Sequence, residues 1–197
     1  MERRDVMKLL ATMPLGAWAM STSDVAEAAE HTHAVLDDIA QQPGKAFVPK
    51  FFSALEWRTV RVLADIVIPR DAKSGSATDA GVPEFMDYVM IEFPTNQTRV
   101  REGLGWLNAE SRMRFGALFP DATPTQRVQI VEDIAFPFKN KPEHIQGVRF
   151  FSTFRDMTAS GFFTSRIGVK DIGYMGNMPQ SAWSGCSAAA EKKLGVS

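Results

Sequence analysis

Prolines and helix caps cut this chain into short lengths, and inside each length the apolar residues recur every three or four positions. No segment of useful length alternates with period two, so β-structure has no support and the chain reads as all-α. Ser53-Ala54-Leu55-Glu56 is a capping box. Leu55, Thr59, Val62, Leu63, Ile66 and Val67 follow at helical spacing, and Pro69 stops the helix. A polar loop over 70–78 leads to Pro83, which suits a first helical turn. Phe85, Val89 and Phe93 then face inward with Tyr88 beside them, up to Pro94. Asn96 is placed to cap a third helix carrying Val100, Leu104, Trp106 and Leu107. Gly103 and Gly105 weaken that helix by roughly 1 kcal/mol each relative to Ala, which suggests close packing against a neighbour. A further turn or two runs from Ser111 to Leu118, before Pro120. Thr123-Pro124-Thr125-Gln126 is a second capping box, with Val128, Val131, Ile134 and Ala135 as its inner stripe and Pro137 as its end. Pro142 opens the longest helix, with Ile145, Val148, Phe151, Phe154 and Met157 or Thr158 inward. Phe150 widens that stripe to about 140°, more than one neighbouring helix covers. The expectation is about five or six helices in one compact domain over 51–186, with 29–50 as a linker or short helix and 187–197 as a tail.

The pattern decays near Ser160-Gly161. From Met157 to Cys186 the chain holds five glycines, four aromatic residues and its only cysteine. Aromatic residues need something to bury against, so this is not a solvated tail. It reads as a long structured loop, and such loops are usually functional or bound to something. Its composition fits a surface that lies on another protein.

The N-terminus constrains localisation. Arg3-Arg4-Asp5-Val6-Met7-Lys8 precedes an apolar stretch from Leu9 to Met20, and Ala26-Glu27-Ala28 offers small residues at −3 and −1 of a cleavage site. Residues 1–28 therefore read as an export leader, resembling the twin-arginine motif with Arg3 and Arg4 as its pair and Glu2 in the place usually held by a small polar residue. The alternative is an ordinary amphipathic N-terminal helix. Twin-arginine export carries folded proteins, often with a cofactor or partner aboard.

Over 197 residues the net charge is −1, which leaves no basic excess to neutralise phosphates and argues against nucleic acid as a partner. No run approaches the roughly 20 apolar residues of a membrane span. Dinucleotide, P-loop, H-E-x-x-H and C-x-x-C-H motifs are absent. His31 and His33 are either a metal-ligand pair or solvated histidines near a mature terminus; no carboxylate or cysteine follows at ligand spacing. Asp65, Asp71 and Asp79 flank the Ile68-Pro69-Arg70 turn and serve as acid, base or cation ligands, or as helix-end and loop partners. His144 reads as a surface residue. No catalytic, cofactor-binding or metal-ligating residue is assigned. With one cysteine, Cys186 pairs with another chain or stays a free thiol.

Several runs together resemble the gluconate 2-dehydrogenase subunit 3 family. They are Phe52 to Asp71 with its Ala64-Asp65-Ile66-Val67-Ile68-Pro69 turn, Gly75-x-Ala77, Ala80-Gly81-Val82-Pro83-Glu84-Phe85-Met86-Asp87, and Gly105-Trp106-Leu107-Asn108. Ser160 to Ser165, Gly173-Tyr174-Met175-Gly176-Asn177 and Trp183-Ser184-Gly185-Cys186 complete the set. The resemblance implies a non-catalytic small subunit of a periplasmic dehydrogenase, membrane-associated where the complex is. The implied partner is a flavoprotein of the glucose-methanol-choline type, holding FAD and oxidising a sugar, sugar acid or glycoside. A c-type cytochrome subunit with haem c often takes the electrons. The small subunit carries the twin-arginine signal and helps the flavoprotein mature and leave the cytoplasm. The C-terminal pattern looks most like members that accompany glucoside 3-dehydrogenases. Phe162, Phe163, Tyr174 and Trp183 are expected to anchor in the partner, with Cys186 at or near the contact. A free-standing exported binding protein, or an enzyme using the Asp65 and Asp71 region, are the competing readings.

Overall fold

The computed structural model describes residues 20–42, 44–136, 142–176 and 185–195. Among the described residues there are eight α-helices and no strand. They are α1 (Thr22–Ala40), α2 (Ala54–Val67), α3 (Val82–Glu92), α4 (Gln97–Phe115), α5 (Pro124–Ala135), α6 (Ile145–Thr164), α7 (Arg166–Asp171) and α8 (Ala188–Leu194). Single 3-10 turns at Pro94–Asn96, Phe119–Asp121 and Pro142–His144 lead into α4, α5 and α6. The all-α expectation holds, with more helices than five or six.

The local signals act as their chemistry requires. Ser53 Oγ accepts the Glu56 N–H at 3.4 Å while Glu56 Oε2 accepts the Ser53 N–H at 2.8 Å. Thr123 and Gln126 repeat the exchange at 3.4 and 2.9 Å. Asn96 does not cap with its side chain, because it is the last residue of a 3-10 turn that runs straight into α4. The further turns expected over Ser111 to Leu118 are part of the same helix: α4 continues to Phe115 and ends at Gly116, whose φ of +73° lets the chain turn left-handed.

Helix α6, at 20 residues the longest, is the central element. It packs against α1, α2, α3, α4, α5 and α7, which is why its apolar stripe is so wide. Phe150, Phe151, Phe154, Met157 and Phe162 are all buried on it, whereas Ile145 is exposed at the helix start. Two close approaches fix the α4–α6 seam. A Cβ on Gly103 would lie 2.0 Å from Phe150 Cγ, and one on Gly147 would lie 2.5 Å from the Trp106 ring. Gly105, by contrast, faces open space.

The structure refines the sequence reading at four places. Residues 29–50, expected as a linker or short helix, are helical as far as Ala40: α1 begins at Thr22 and belongs to the helical body, with Ala28, Ala29 and Thr32 buried. The body thus starts well before residue 51, and the Ala26-Glu27-Ala28 segment lies inside a helix. The segment after Met157 is not a loop until α7 ends, since α6 runs to Thr164 and α7 to Asp171. The C-terminal tail holds α8, none of whose residues is buried. His144 is buried rather than at the surface. Its Nε2 lies 3.1 Å from Arg114 Nη2, so that nitrogen accepts, while Arg114 also donates to Glu110 and Asp133 at 2.5 Å each. This charged cluster joins α4, α5 and the start of α6.

Candidate functional site

The turn between α6 and α7 is built without slack. Ser165 is buried, its Oγ accepts the Gly168 N–H at 3.0 Å, and its hydroxyl donates to the Phe162 carbonyl at 2.7 Å. A Cβ on Gly168 would meet that carbonyl oxygen at 1.9 Å, so only glycine fits there. Helix α7 is also tied across the body, because Arg166 donates in a fork to Asp37 of α1 at 2.6 and 2.8 Å. Those hydrogen bonds hold the Asp37 carboxyl below its ordinary pKa. After α7 the chain closes with the Gly173 N–H on the Lys170 carbonyl and the Tyr174 N–H on the Val169 carbonyl, both at 3.1 Å. Gly173 and Gly176 take φ of +65° and +80°.

This rigid base presents three apolar side chains to solvent: Ile172, Tyr174 and Met175, at 52%, 58% and 82% exposure. Consecutive exposure of this kind is unusual for a free surface, since large apolar side chains in water are a liability unless something covers them. Phe163 is half-buried and lines an apolar groove of about 670 Å³ between α6 and the start of α1, with Met20, Val25 and Ala159.

The expected partner anchors therefore separate. Phe162 is fully buried in the chain's own core and stacks edge-on with Phe163 at 5.3 Å, so it holds the fold together and is not available to a partner. Phe163 is reachable through the groove. Tyr174 stands exposed, and Cys186 is a free, exposed thiol. Trp183, Arg3 and Arg4 lie outside the described residues.

The aspartates of the 68–81 loop have structural duties. Asp65 accepts the Thr78 N–H at 2.8 Å, and Asp71 accepts those of Lys73 and Ser74 at 2.8 and 2.9 Å. Asp79 accepts the Ser76 N–H at 2.6 Å and pairs with Arg70 at 2.7 Å. Partial burial opposes the Asp79 charge, but Ser76 and Arg70 outweigh it and hold the carboxyl below its ordinary pKa. His31 stacks on the Tyr88 ring at 4.1 Å. His33 is two residues further along α1, and residues two apart on a helix do not face each other. Among the described residues no group of three His, Cys, Asp or Glu side chains is arranged to hold a metal ion.

Two residues of real consequence escaped the sequence reading, both acids on the apolar helix α3. Asp87 is buried, and its carboxylate accepts the backbone N–H groups of Lys50, Phe51 and Phe52 at 2.8, 3.0 and 3.1 Å. It thereby clamps the chain that enters α2. Glu84, one turn earlier, is buried, and its Oε2 has no hydrogen-bond partner. Arg61 approaches its other oxygen only to 4.0 Å. Acids spaced by three within an otherwise apolar helix were the available signal. Both line a cavity of about 460 Å³ with His31, Lys45 and Tyr88.

Burial pushes the Glu84 carboxyl above its ordinary pKa, against the pull of its own backbone N–H and of Arg61. For a raised pKa the favourable contribution is present below the ordinary glutamate value and is lost as pH rises through the folded one. Ionised Glu84 therefore lowers stability at neutral pH. Glu84→Gln is expected to raise the unfolding free energy at pH 7 by about 1 kcal/mol, and to have a smaller effect near pH 4. Urea unfolding at the two pH values checks this; a variant less stable at pH 7 than at pH 4, relative to the parent, contradicts it.

A family model described as Gluconate 2-dehydrogenase subunit 3 matches residues 54–181. The chain belongs to this family. The match begins at the first residue of α2 and takes in Asp87, though not the 50–52 segment that it clamps, together with the α4–α6 seam, the α6–α7 turn and the exposed Ile172–Met175 ledge. The family is that of a subunit of a dehydrogenase complex, so catalytic partner subunits follow from membership. No curated protein and no solved structure matches the chain. Among the described residues no helix of this family member is long and apolar enough to cross a membrane.

Proposed function

We propose that this chain is the non-catalytic small subunit of a periplasmic, FAD-dependent dehydrogenase of the glucose-methanol-choline type, acting on a sugar or glycoside. A glucoside 3-dehydrogenase is the preferred catalytic partner, and a c-type cytochrome the preferred electron acceptor. The chain supports folding and flavin loading of the catalytic subunit and carries it through twin-arginine export by its own Arg3-Arg4 signal. The observation that carries the reading is the ledge of Ile172, Tyr174 and Met175, exposed in sequence on a base that Ser165, Gly168 and Arg166 make rigid. A preorganised apolar surface binds without first losing its own conformational freedom. Twin-arginine export fits the division of labour, because a flavoprotein loaded in the cytoplasm must cross the membrane folded.

Expression of a glucose-methanol-choline flavoprotein from the same source with and without this chain tests the reading. With the small subunit absent, the flavoprotein is expected to be poor in FAD and to stay in the cytoplasm. Equal flavin content and equal export without it reject the accessory role. Tyr174→Ala in the small subunit is expected to weaken the copurified complex by about 2 kcal/mol, or roughly 30-fold in Kd, as for a central aromatic anchor. An unchanged affinity moves the interface away from this ledge.

A further inference from the structure

On α3 the residues Glu84, Asp87, Tyr88 and Ile91 recur every three or four positions, so they share one side of the helix. His31, Val35 and Asp38 do the same on α1. These two sides border the same cavity of about 460 Å³. Its third wall is the 45–50 segment, which contributes Phe47. That segment is held at both ends. Lys45 Nζ donates to Asp38 of α1 at 2.5 Å, and the Lys50 N–H donates to Asp87 of α3 at 2.8 Å. The cavity therefore has fixed walls, and its volume falls within the range of about 300–1,000 Å³ usual for small-molecule sites.

The lining carries an excess of acid: Asp38, Glu84, Asp87 and Glu92 stand against Lys45 and Lys50. Asp38 is engaged by Lys45, and Asp87 by its three backbone N–H groups. Glu84 is left over. It is 8% exposed, and its Oε2 has no hydrogen-bond partner. A buried carboxylate without a partner costs stability, and such a residue in a cleft is what a site for a cation requires. The last torsion of a glutamate side chain is soft, so the carboxylate turns toward an occupant at little cost. Phe47 and the stacked His31–Tyr88 pair add aromatic surface, which attracts cations. Val35 and Ile91 add apolar surface for a short carbon stem. A metal ion suits the cavity poorly, because among the described residues no three His, Cys, Asp or Glu side chains converge to hold one.

We propose that this cavity binds a small organic cation, a primary ammonium on a short apolar stem, with Glu84 as its counter-ion. The ammonium donates to the Glu84 carboxylate, the stem lies along Val35 and Ile91, and the aromatic rings border the charge. No covalent bond is made or broken. The acid that lowers stability in the free chain becomes half of an ion pair in the bound one. The site does not depend on the export reading or on the identity of the catalytic subunit.

The test follows thermal unfolding of the full chain at neutral pH as n-butylammonium chloride is raised through the millimolar range. Butan-1-ol, sodium butyrate and sodium chloride at matched concentrations are the controls. The ammonium is expected to raise the unfolding temperature and to saturate, and the controls are not. Calorimetric titration then gives the dissociation constant. Glu84→Gln keeps the shape of the side chain and removes its charge, and is expected to weaken binding about tenfold, as for the loss of a hydrogen bond to a charged group. Glu92→Gln, at the exposed edge of the cavity, is expected to weaken it about threefold, as for an exposed charge. No saturable effect of the ammonium, an equal effect of butan-1-ol or butyrate, or a folded Glu84→Gln chain that binds as tightly as the parent overturns the site.

Discussion

Asp87→Ala is expected to lower the unfolding free energy by about 3–5 kcal/mol, a large share of the stability of a domain this size. The carboxylate receives three backbone N–H groups, two on Oδ1 and one on Oδ2. Hydrogen bonds to a charged acceptor contribute about 1.5–3 kcal/mol each, and the buried Phe52 N–H has no ready replacement from water. The clamp also places Phe52 in the core and sets the entry into α2, so its loss loosens more than one contact. Asp87→Asn keeps the shape but turns a donor toward the N–H groups, and is expected to lose about half as much. Urea unfolding followed by circular dichroism measures both. A loss under 1 kcal/mol for the alanine variant means that the 50–52 segment is held by its aromatic contacts instead, such as the Arg101 guanidinium 4.4 Å over Phe51.

The second large effect separates two glycines that look alike in sequence. Gly103→Ala is expected to destabilise by about 3 kcal/mol, because the new methyl meets Phe150 at its Cγ, Cδ2 and Cβ, at 2.0 to 2.4 Å. Those atoms are close to the α6 backbone, so no rotation of the ring clears them and the helices must part. Gly105→Ala is expected to stabilise by about 0.5–1 kcal/mol, since its Cβ meets nothing and the helix gains an ordinary residue. Thermal unfolding of the two variants side by side gives shifts of opposite sign. Shifts of the same sign contradict the α4–α6 seam described here.

The candidate site was legible in part. Glycine and aromatic density after Met157 marked the stretch in which Ile172, Tyr174 and Met175 stand exposed. Phe162 and Phe163, adjacent in sequence, could not be told apart by composition. Neighbours on a helix point about 100° from each other, and only the position of α6 within the bundle decides which one meets the core. Asp87 and Glu84 were passed over because an acid on an apolar helix reads as its solvent edge until the chain that covers it is placed.

What the sequence determined by itself is whatever acts over a few residues: the helical period, the capping boxes at Ser53 and Thr123, the stops at Pro69 and Pro94, and the family motifs. Each is a contact between near neighbours, so the chain carries its own answer. The tertiary structure decided the rest. It made α1 part of the body, through Ala28 and through Asp37, which Arg166 reaches from 129 positions away. It made Gly103 indispensable and Gly105 incidental through a phenylalanine on α6. It gave Asp87 three N–H groups from a segment some 35 residues earlier. These contacts join distant segments, and no local pattern encodes them, because they exist only once the helices have packed.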